Sequence, residues 1–435
     1  MSEVDSPAPT VAPDLVNDIA DTRSVDASVV NAKTRKKNNK SSRIWFDVHS
    51  WVGFKLSLFM SFVLITGTFA VVSNDLDWLA NSSIRVTPQA ATDKASWGEI
   101  YKSLQKQYPE WQFPYIREPV DSWFAVYVQA RTPDGKLRLV DVNPYTAQVQ
   151  GDRAWLSFQR FFRNSHRHLM LPTSIGVPLV SALAFLLLIS LVSGLIVYKK
   201  FWRGFFKVPR RQHGRRVFYG DLHRLMSLWS LWFVLLIALT SVFYFAESLG
   251  WRAPPFGKID KAEVVEYDLD ARAIDSFAER AQSLLPGFRI ALFLPPQKAG
   301  DPLIFQGFPD DGAALVRARA SYVAFDPHSG DVLGRHHSAD ANVHQRIAEM
   351  ADPLHFGSFG GLPIRIIWFV FGALLSALAI TGIVIYATRI KKSILQSDSG
   401  LLIAWQGMGW WKWAGVAAVI VVIVLLPETA NALNH

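Results

Sequence analysis

No cysteine occurs anywhere in the 435 residues. That absence excludes structural disulfides, iron–sulfur clusters, thiolate zinc sites, c-type haem attachment and a thiol nucleophile. Charge is scarce as well: only 19% of residues are Asp, Glu, Lys or Arg, whereas 50% are hydrophobic, with 16 Trp and 29 Phe among them. So much large apolar surface in a lightly charged chain must be hidden in a bilayer or an unusually large core. Acidic residues are the rarer sign, 36 against 45 basic, for a net charge of +9. Without thiolates, a metal or redox centre has to rest on His, carboxylate, Tyr or Met, which directs attention to the eleven histidines.

What is present is a set of long apolar runs. Trp51–Val72, Ile175–Tyr198, Leu225–Phe245 and Ile364–Tyr386 each reach the ~20 residues that a bilayer core requires. A fifth run, Trp413–Leu426, is shorter but opens in the aromatic cluster Trp405, Trp410, Trp411 and Trp413 typical of a membrane interface. Lys and Arg concentrate before the first span (Lys33 to Arg43), between spans two and three (Lys199 to Arg216) and after span four (Arg389, Lys391, Lys392). All three clusters fall on one side, which the positive-inside rule assigns to the cytoplasm. No stacking or groove-reading motif accompanies the basic charge, so it reads as a topology signal and not as a nucleic-acid surface. The expected organisation is a disordered cytoplasmic tail (1–42), span one (43–73), an external domain (74–165), span two (166–198), a basic link (199–218), span three (219–247), a second external domain (248–354), span four (355–388), a link (389–404), span five (405–427) and an external tail (428–435).

The chain also repeats itself. An offset of 174 places Val48-His49 on Leu222-His223 and Thr66 on Thr240, and an offset of 183 places Val140 through Gly151 on Val323 through Gly334. Val192-Ser193-Gly194 matches Ile380-Thr381-Gly382 toward the end of each half. Each half therefore reads as span, external domain, span, in parallel orientation. The external segments carry helical spacing at Trp97–Tyr108 and Ile274–Leu285, followed by alternating strand patterns at Trp123–Gln129 and Leu137–Val142 in the first and a hairpin of Tyr322–Phe325 with Val332-Leu333 in the second. Asn143-Pro144-Tyr145-Thr146 and Asp326-Pro327-His328-Ser329-Gly330 have turn chemistry and read as scaffolding. The fold class expected is a mainly α membrane protein: four core helices plus a C-terminal fifth, from two parallel repeats, each with a small external α+β domain.

Strand, Asn/Asp-Pro-x-Ser/Thr turn and strand between two spans resembles a PepSY domain. Phe46-Asp47-Val48-His49-Ser50-Trp51-Val52-Gly53, Asp221-Leu222-His223-Arg224-Leu225 and Pro353-Leu354-His355-Phe356-Gly357-Ser358-Phe359-Gly360-Gly361, with Arg365 and Trp368 following, are similar to motifs of the PepSY-associated transmembrane proteins. These are often iron-regulated and include inner-membrane ferric-siderophore reductases that bind b-type haem. The resemblance covers roughly residues 43 to 390.

Histidines lie at both membrane faces. His49 and His223 open spans one and three, at the cytoplasmic face, while His355 precedes span four and His166 and His168 precede span two, at the external face. A single interfacial His is commonly a hydrogen-bonded or snorkelling residue. Paired placement at both ends of one bundle, together with the resemblance, points to two bis-His haem b groups on His49/His223 and His166/His355. His166 and His168 cannot project the same way, since two helical residues turn by about 200°. Aligning the halves on Gly194 and Gly382 sets His355 over Arg167, between them; the family's His-Arg-x-Leu motif matches His166, which is preferred, with His168 as alternate. Arg224, Arg167 and Arg365 flank the candidate ligands and could pair with haem propionates or with lipid headgroups. His336, His337 and His344, with Met350, could form an external metal patch, although a solvated loop explains them as well.

The expectation is an electron path across the membrane, from a cytoplasmic donor to an external ferric siderophore, whose one-electron reduction weakens its hold on iron. Gly407-Met408-Gly409 lacks the strand-to-helix setting of a dinucleotide site, so the donor is expected to be another protein or a diffusible reductant. Competing readings are a PepSY-type sensor or inhibitor of an external protease or signalling partner, and a transporter of iron or siderophore.

Overall fold

A computed structural model of the chain describes residues 41–90, 94–265, 269–390 and 400–430. The N-terminal tail, most of the link after span four and the end of the C-terminal tail lie outside the described residues. The molecule is a membrane protein, mostly helical, with a separate antiparallel sheet.

The chain opens with α1 (Ser41–Lys55) and α2 (Ser57–Val71), two helices bent by 66°. The first apolar run is therefore an angled pair and not one straight rod. The bend is tied down locally: Ser57 Oγ donates to the Phe54 carbonyl at 2.7 Å, and Lys55 Nζ to the Gly407 carbonyl at 2.8 Å. α3 (Ser73–Ala80) leads to the first strand-bearing segment. There α4 (Trp97–Gln107) precedes β1 (Gln112–Arg117), β2 (Val126–Arg131), β3 (Leu137–Val142) and β4 (Val149–Ala154). α5 (Phe158–His168) brings the chain back to α6 (Thr173–Ser181) and α7 (Leu183–Val197), then α8 (Arg215–Trp229) and α9 (Leu231–Ser248). The second strand-bearing segment holds α10 (Ala271–Leu284), β5 (Arg289–Leu294), β6 (Leu303–Phe308), β7 (Tyr322–Phe325), β8 (Val332–His336) and α11 (Val343–Phe356). α12 (Gly361–Ile390), α13 (Gly400–Gly407) and α14 (Lys412–Ala430) complete the chain.

Four helical segments are long and apolar enough to cross a membrane, Thr173–Val197, Leu231–Ser248, Gly361–Arg389 and Gly409–Pro427, with α1–α2 a fifth if the bent pair counts as one span. Side chains of α2, α7, α9 and α12 meet in one cluster around Phe233, Val234, Trp368 and Leu375. α14 packs outside on α2, where a Cβ on Gly415 would stand 2.6 Å from the Leu58 side chain. The third span is displaced from its expected limits: a break at Ser230 leaves His223 on the polar helix α8, and the apolar segment begins at Leu231. The second is displaced too, because Leu169 and Met170 adopt left-handed φ of 56° and 60° and end α5 before Pro172. Both side chains are buried against Phe59 and Val63, which offsets the cost of that conformation.

The two strand-bearing segments are not separate domains. Their strands form one eight-stranded sheet in the order β4-β3-β2-β1-β5-β6-β7-β8, joined where Ile116 pairs with Phe293 and Arg117 with Leu292. Alternation along each strand sends Ile116, Val128, Val140, Phe293, Phe305 and Val323 into one shared core under α4 and α10. The two helices cross so closely that a Cβ on Gly98 would lie 2.0 Å from the Ala271 carbonyl oxygen. Asp275 of α10 accepts hydrogen bonds at 2.8 Å from Ser96 Oγ and from the Gly98 amide, capping α4 from its neighbour. The Asn143 and Asp326 turns form as read: each side-chain carbonyl or carboxylate accepts the amide two residues on, at 2.9 Å and 2.8 Å.

Candidate functional site: two facing histidine pairs

α1 and α8 bring His49 and His223 together, ring centres 6.4 Å apart. At the sheet-facing end, the last turns of α5 and α11 bring His166 and His355 together at 5.9 Å. Both helices stop there because the next backbone is left-handed, at Leu169 and at Gly357 with φ of 65°. Gly357 is required, since a Cβ on it would lie 2.6 Å from the Trp368 ring. His168 faces away: its Nδ1 bonds the Leu171 carbonyl at 2.6 Å, and its side chain packs on Gly176.

All four paired imidazoles use the same nitrogen for support. His49 Nδ1 lies 3.0 Å from the Ser190 carbonyl and 3.2 Å from Ser193 Oγ, and His166 Nδ1 lies 2.8 Å from the Val63 carbonyl. A carbonyl can only accept, so Nδ1 carries the proton in both rings. His223 Nδ1 meets Thr381 Oγ1 at 2.9 Å, and His355 Nδ1 meets Thr240 Oγ1 at 2.8 Å. Those hydroxyls already donate to Ala377 and Leu236 carbonyls, at 2.8 and 2.9 Å, and thus accept from the rings. Every Nε2 is left with its lone pair, the tautomer in which an imidazole binds a metal while its other nitrogen is oriented by a neighbour. Burial also pushes the His355 imidazole down to about 3 and that of His166 below its ordinary range, which keeps both rings neutral.

Glycines make room for the rings. A Cβ on Gly194 would lie 3.3 Å from His49 Cε1, and one on Gly67 would lie 2.5 Å from His166 Cε1. Beside His166 and His355 opens a cavity of about 470 Å³, with Val180 and Leu187 on its apolar wall and Arg163, Arg167 and Arg252 among its cations.

The spacing suits a group held from both sides. With metal–imidazole bonds of about 2 Å, two ring centres on opposite sides of one ion lie about 6 Å apart. Among the described residues no group of three or more His, Asp or Glu side chains converges to hold a metal ion. A porphyrin iron asks for only two protein ligands, and two are what each pair offers.

The flanking arginines divide. Arg365, expected as a propionate partner, is buried and engaged by Asp75 at 3.0 Å and Asp121 at 2.5 Å, tying α12 to α3 and to the loop before β2. Arg224 is exposed and pairs with Asp221. Arg167 lines the cavity and has no ion-pair partner among the described residues. His336, His337 and His344 form no cluster: they contact the Ala320 carbonyl, Asp311 and the Trp251 ring. The supporting residues Ser193, Thr240 and Thr381 were visible in sequence as matched polar positions inside apolar spans, but their role is not.

Residues 46–389 match the family model described as the PepSY-associated TM region. No curated protein matches the chain.

Proposed function

The chain belongs to the PepSY-associated TM family, and on that premise we propose that it is a di-haem b electron-transfer protein of the bacterial inner membrane, built from two parallel repeats, that reduces ferric siderophore on the periplasmic side. The observation carrying this reading is the fourfold recurrence of one arrangement: paired rings at 6.4 and 5.9 Å, each with Nδ1 committed and Nε2 free.

His49 and His223 would hold one haem at the end that carries the basic link 199–218, the cytoplasmic end by charge. His166 and His355 would hold the other beside the sheet, where Arg167 lines the cavity as a cation suited to a propionate. Haem bound at both pairs would supply one-electron chemistry between the two faces. Ser190, Thr240, Thr381 and the Val63 carbonyl fix the ring tautomers, and the bundle side chains exclude water. The acceptor gains one electron, Fe(III) becoming Fe(II), and hard oxygen donors then hold the ion less tightly. The electron donor enters from the cytoplasmic side as a protein or small reductant.

The test is the reduced-minus-oxidised visible spectrum of the detergent-purified protein. A split b-type absorption is expected, with His49→Ala and His355→Ala each removing part of it. A spectrum without haem bands overturns the reading. Dithionite-reduced protein is expected to reoxidise when a ferric siderophore is added.

A further inference from the structure

The polar face of the first half-sheet encloses a second cavity, of about 310 Å³, between β1–β3, the start of the external region and α5. The alternation that sends Ile116 and Val128 into the core turns Tyr115, Arg117, Tyr127 and Gln129 to this side. Five arginines line it: Arg117 of β1, Arg153 of β4 and Arg160, Arg163 and Arg167 of α5.

The cavity's two carboxylates offset only part of that charge: Asp141 pairs with Arg153. Asp77 accepts the Phe158 and Gln159 amides at 2.7 and 3.1 Å and so caps α5. Asp141 is shared between Arg153 Nε at 2.9 Å and Ser83 Oγ at 2.8 Å. Arg117 Nε, Arg153 Nη1 and Arg160 Nε are buried without a hydrogen-bond partner among the described residues. Arg160 is nonetheless fixed in place, stacked on Trp155 with its guanidinium carbon 3.1 Å from the ring centre and donating through Nη2 to Tyr127 Oη at 2.9 Å. Unpaired buried guanidinium donors are costly, and an anion that accepts from them removes the cost. Their N–H groups sit on three separate elements, which suits an anion with several separated carboxylates better than one compact tetrahedral ion.

We propose that this cavity binds a polycarboxylate of about the size of citrate, free or as the carboxylate portion of an iron chelate, gripped by Arg117, Arg153 and Arg160. Arg163 and Arg167 also line the cavity of the His166–His355 pair, so the bound anion lies beside that pair. The assignment does not depend on the redox reading.

The experiment is titration calorimetry on the full chain in detergent at constant ionic strength, with citrate, ferric citrate and inorganic phosphate as probes. Citrate or ferric citrate is expected to bind, with phosphate at least tenfold weaker; if only ferric citrate binds, the chelate is the ligand, and if both bind alike, the free anion suffices. Arg160→Gln and, on a different element, Arg117→Gln are each expected to weaken binding at least tenfold while the visible spectrum stays that of wild type. No heat with either citrate form, phosphate binding equal to citrate, or unchanged affinity in a variant that retains the wild-type melting temperature would overturn the site. Loss of citrate binding with haem bands intact fails this proposal alone, and citrate binding without haem bands fails the redox reading alone.

Discussion

At the scale of single residues, the hydroxyls and carbonyls behind the histidines carry as much information as the histidines. Thr240 both donates to the Leu236 carbonyl and accepts from His355, so Thr240→Val removes the acceptor and keeps the shape. On the proposed di-haem reading, the expected outcome is weaker haem retention at the sheet-facing site, by about 10–100-fold. Haem content after gel filtration, with the His49/His223 signal as internal reference, checks it. Arg365→Met removes the shared partner of Asp75 and Asp121 and leaves both carboxylates uncompensated in a mostly buried setting. A loss of about 3–5 kcal/mol is expected. A fall in melting temperature in detergent, with the haem spectrum retained at low temperature, is the measurement; a loss of haem ahead of unfolding would instead restore Arg365 to the binding site.

At the scale of elements, α4 and α10 depend on one crossing. Gly98→Ala places a methyl group against the Ala271 carbonyl, and backbone cannot yield as a side-chain end can. The expected cost is about 1–3 kcal/mol. Asp275→Ala, which removes the acceptor of the Gly98 amide and leaves the Ser96–Glu99 capping box of α4 in place, is expected to cost about 1 kcal/mol. Urea unfolding followed by the fluorescence of Trp97 and Trp111 compares the two. These elements also mark what the sequence made legible. β3 at Leu137–Val142 and β7 at Tyr322–Phe325 fall on their expected limits because a short apolar or alternating run ends in an Asn/Asp-Pro turn. β1 and β5 do not stand out, because β1 holds a proline and β5 is apolar throughout, with both sides covered. The last turns of α5 and α11, from His166 and His355, read as the openings of spans in sequence. The left-handed residues at 169, 170, 357 and 361 separate them from the spans that follow, and a left-handed leucine leaves no sequence signature. The pairing of His166, and not His168, with His355 follows from that turn.

At the scale of the whole molecule, the apolar spans are legible from hydropathy, whereas the joining of the two strand-bearing segments into one sheet is not. Strand pairing between residues far apart in sequence depends on register, and nothing local announces that β1 will find β5. The sheet predicts that residues 74–165 expressed alone will fail to unfold cooperatively, since they expose the β1 edge and half of the core. Thermal circular dichroism of that fragment, against the fragment mixed with residues 248–354, tests this. A cooperative melt of 74–165 by itself would show that the first half is an autonomous domain.

The central seam of that sheet is short, two residue pairs between β1 and β5. Joined as separate subunits, two such halves would meet only as often as their concentration allowed and would present the same face twice. Within a single polypeptide the meeting is guaranteed, and equivalence is no longer enforced. The arginine-lined chamber, drawn entirely from residues 74–167, illustrates the result: one half can be charged and receptive while its neighbour serves as a plain structural counterpart.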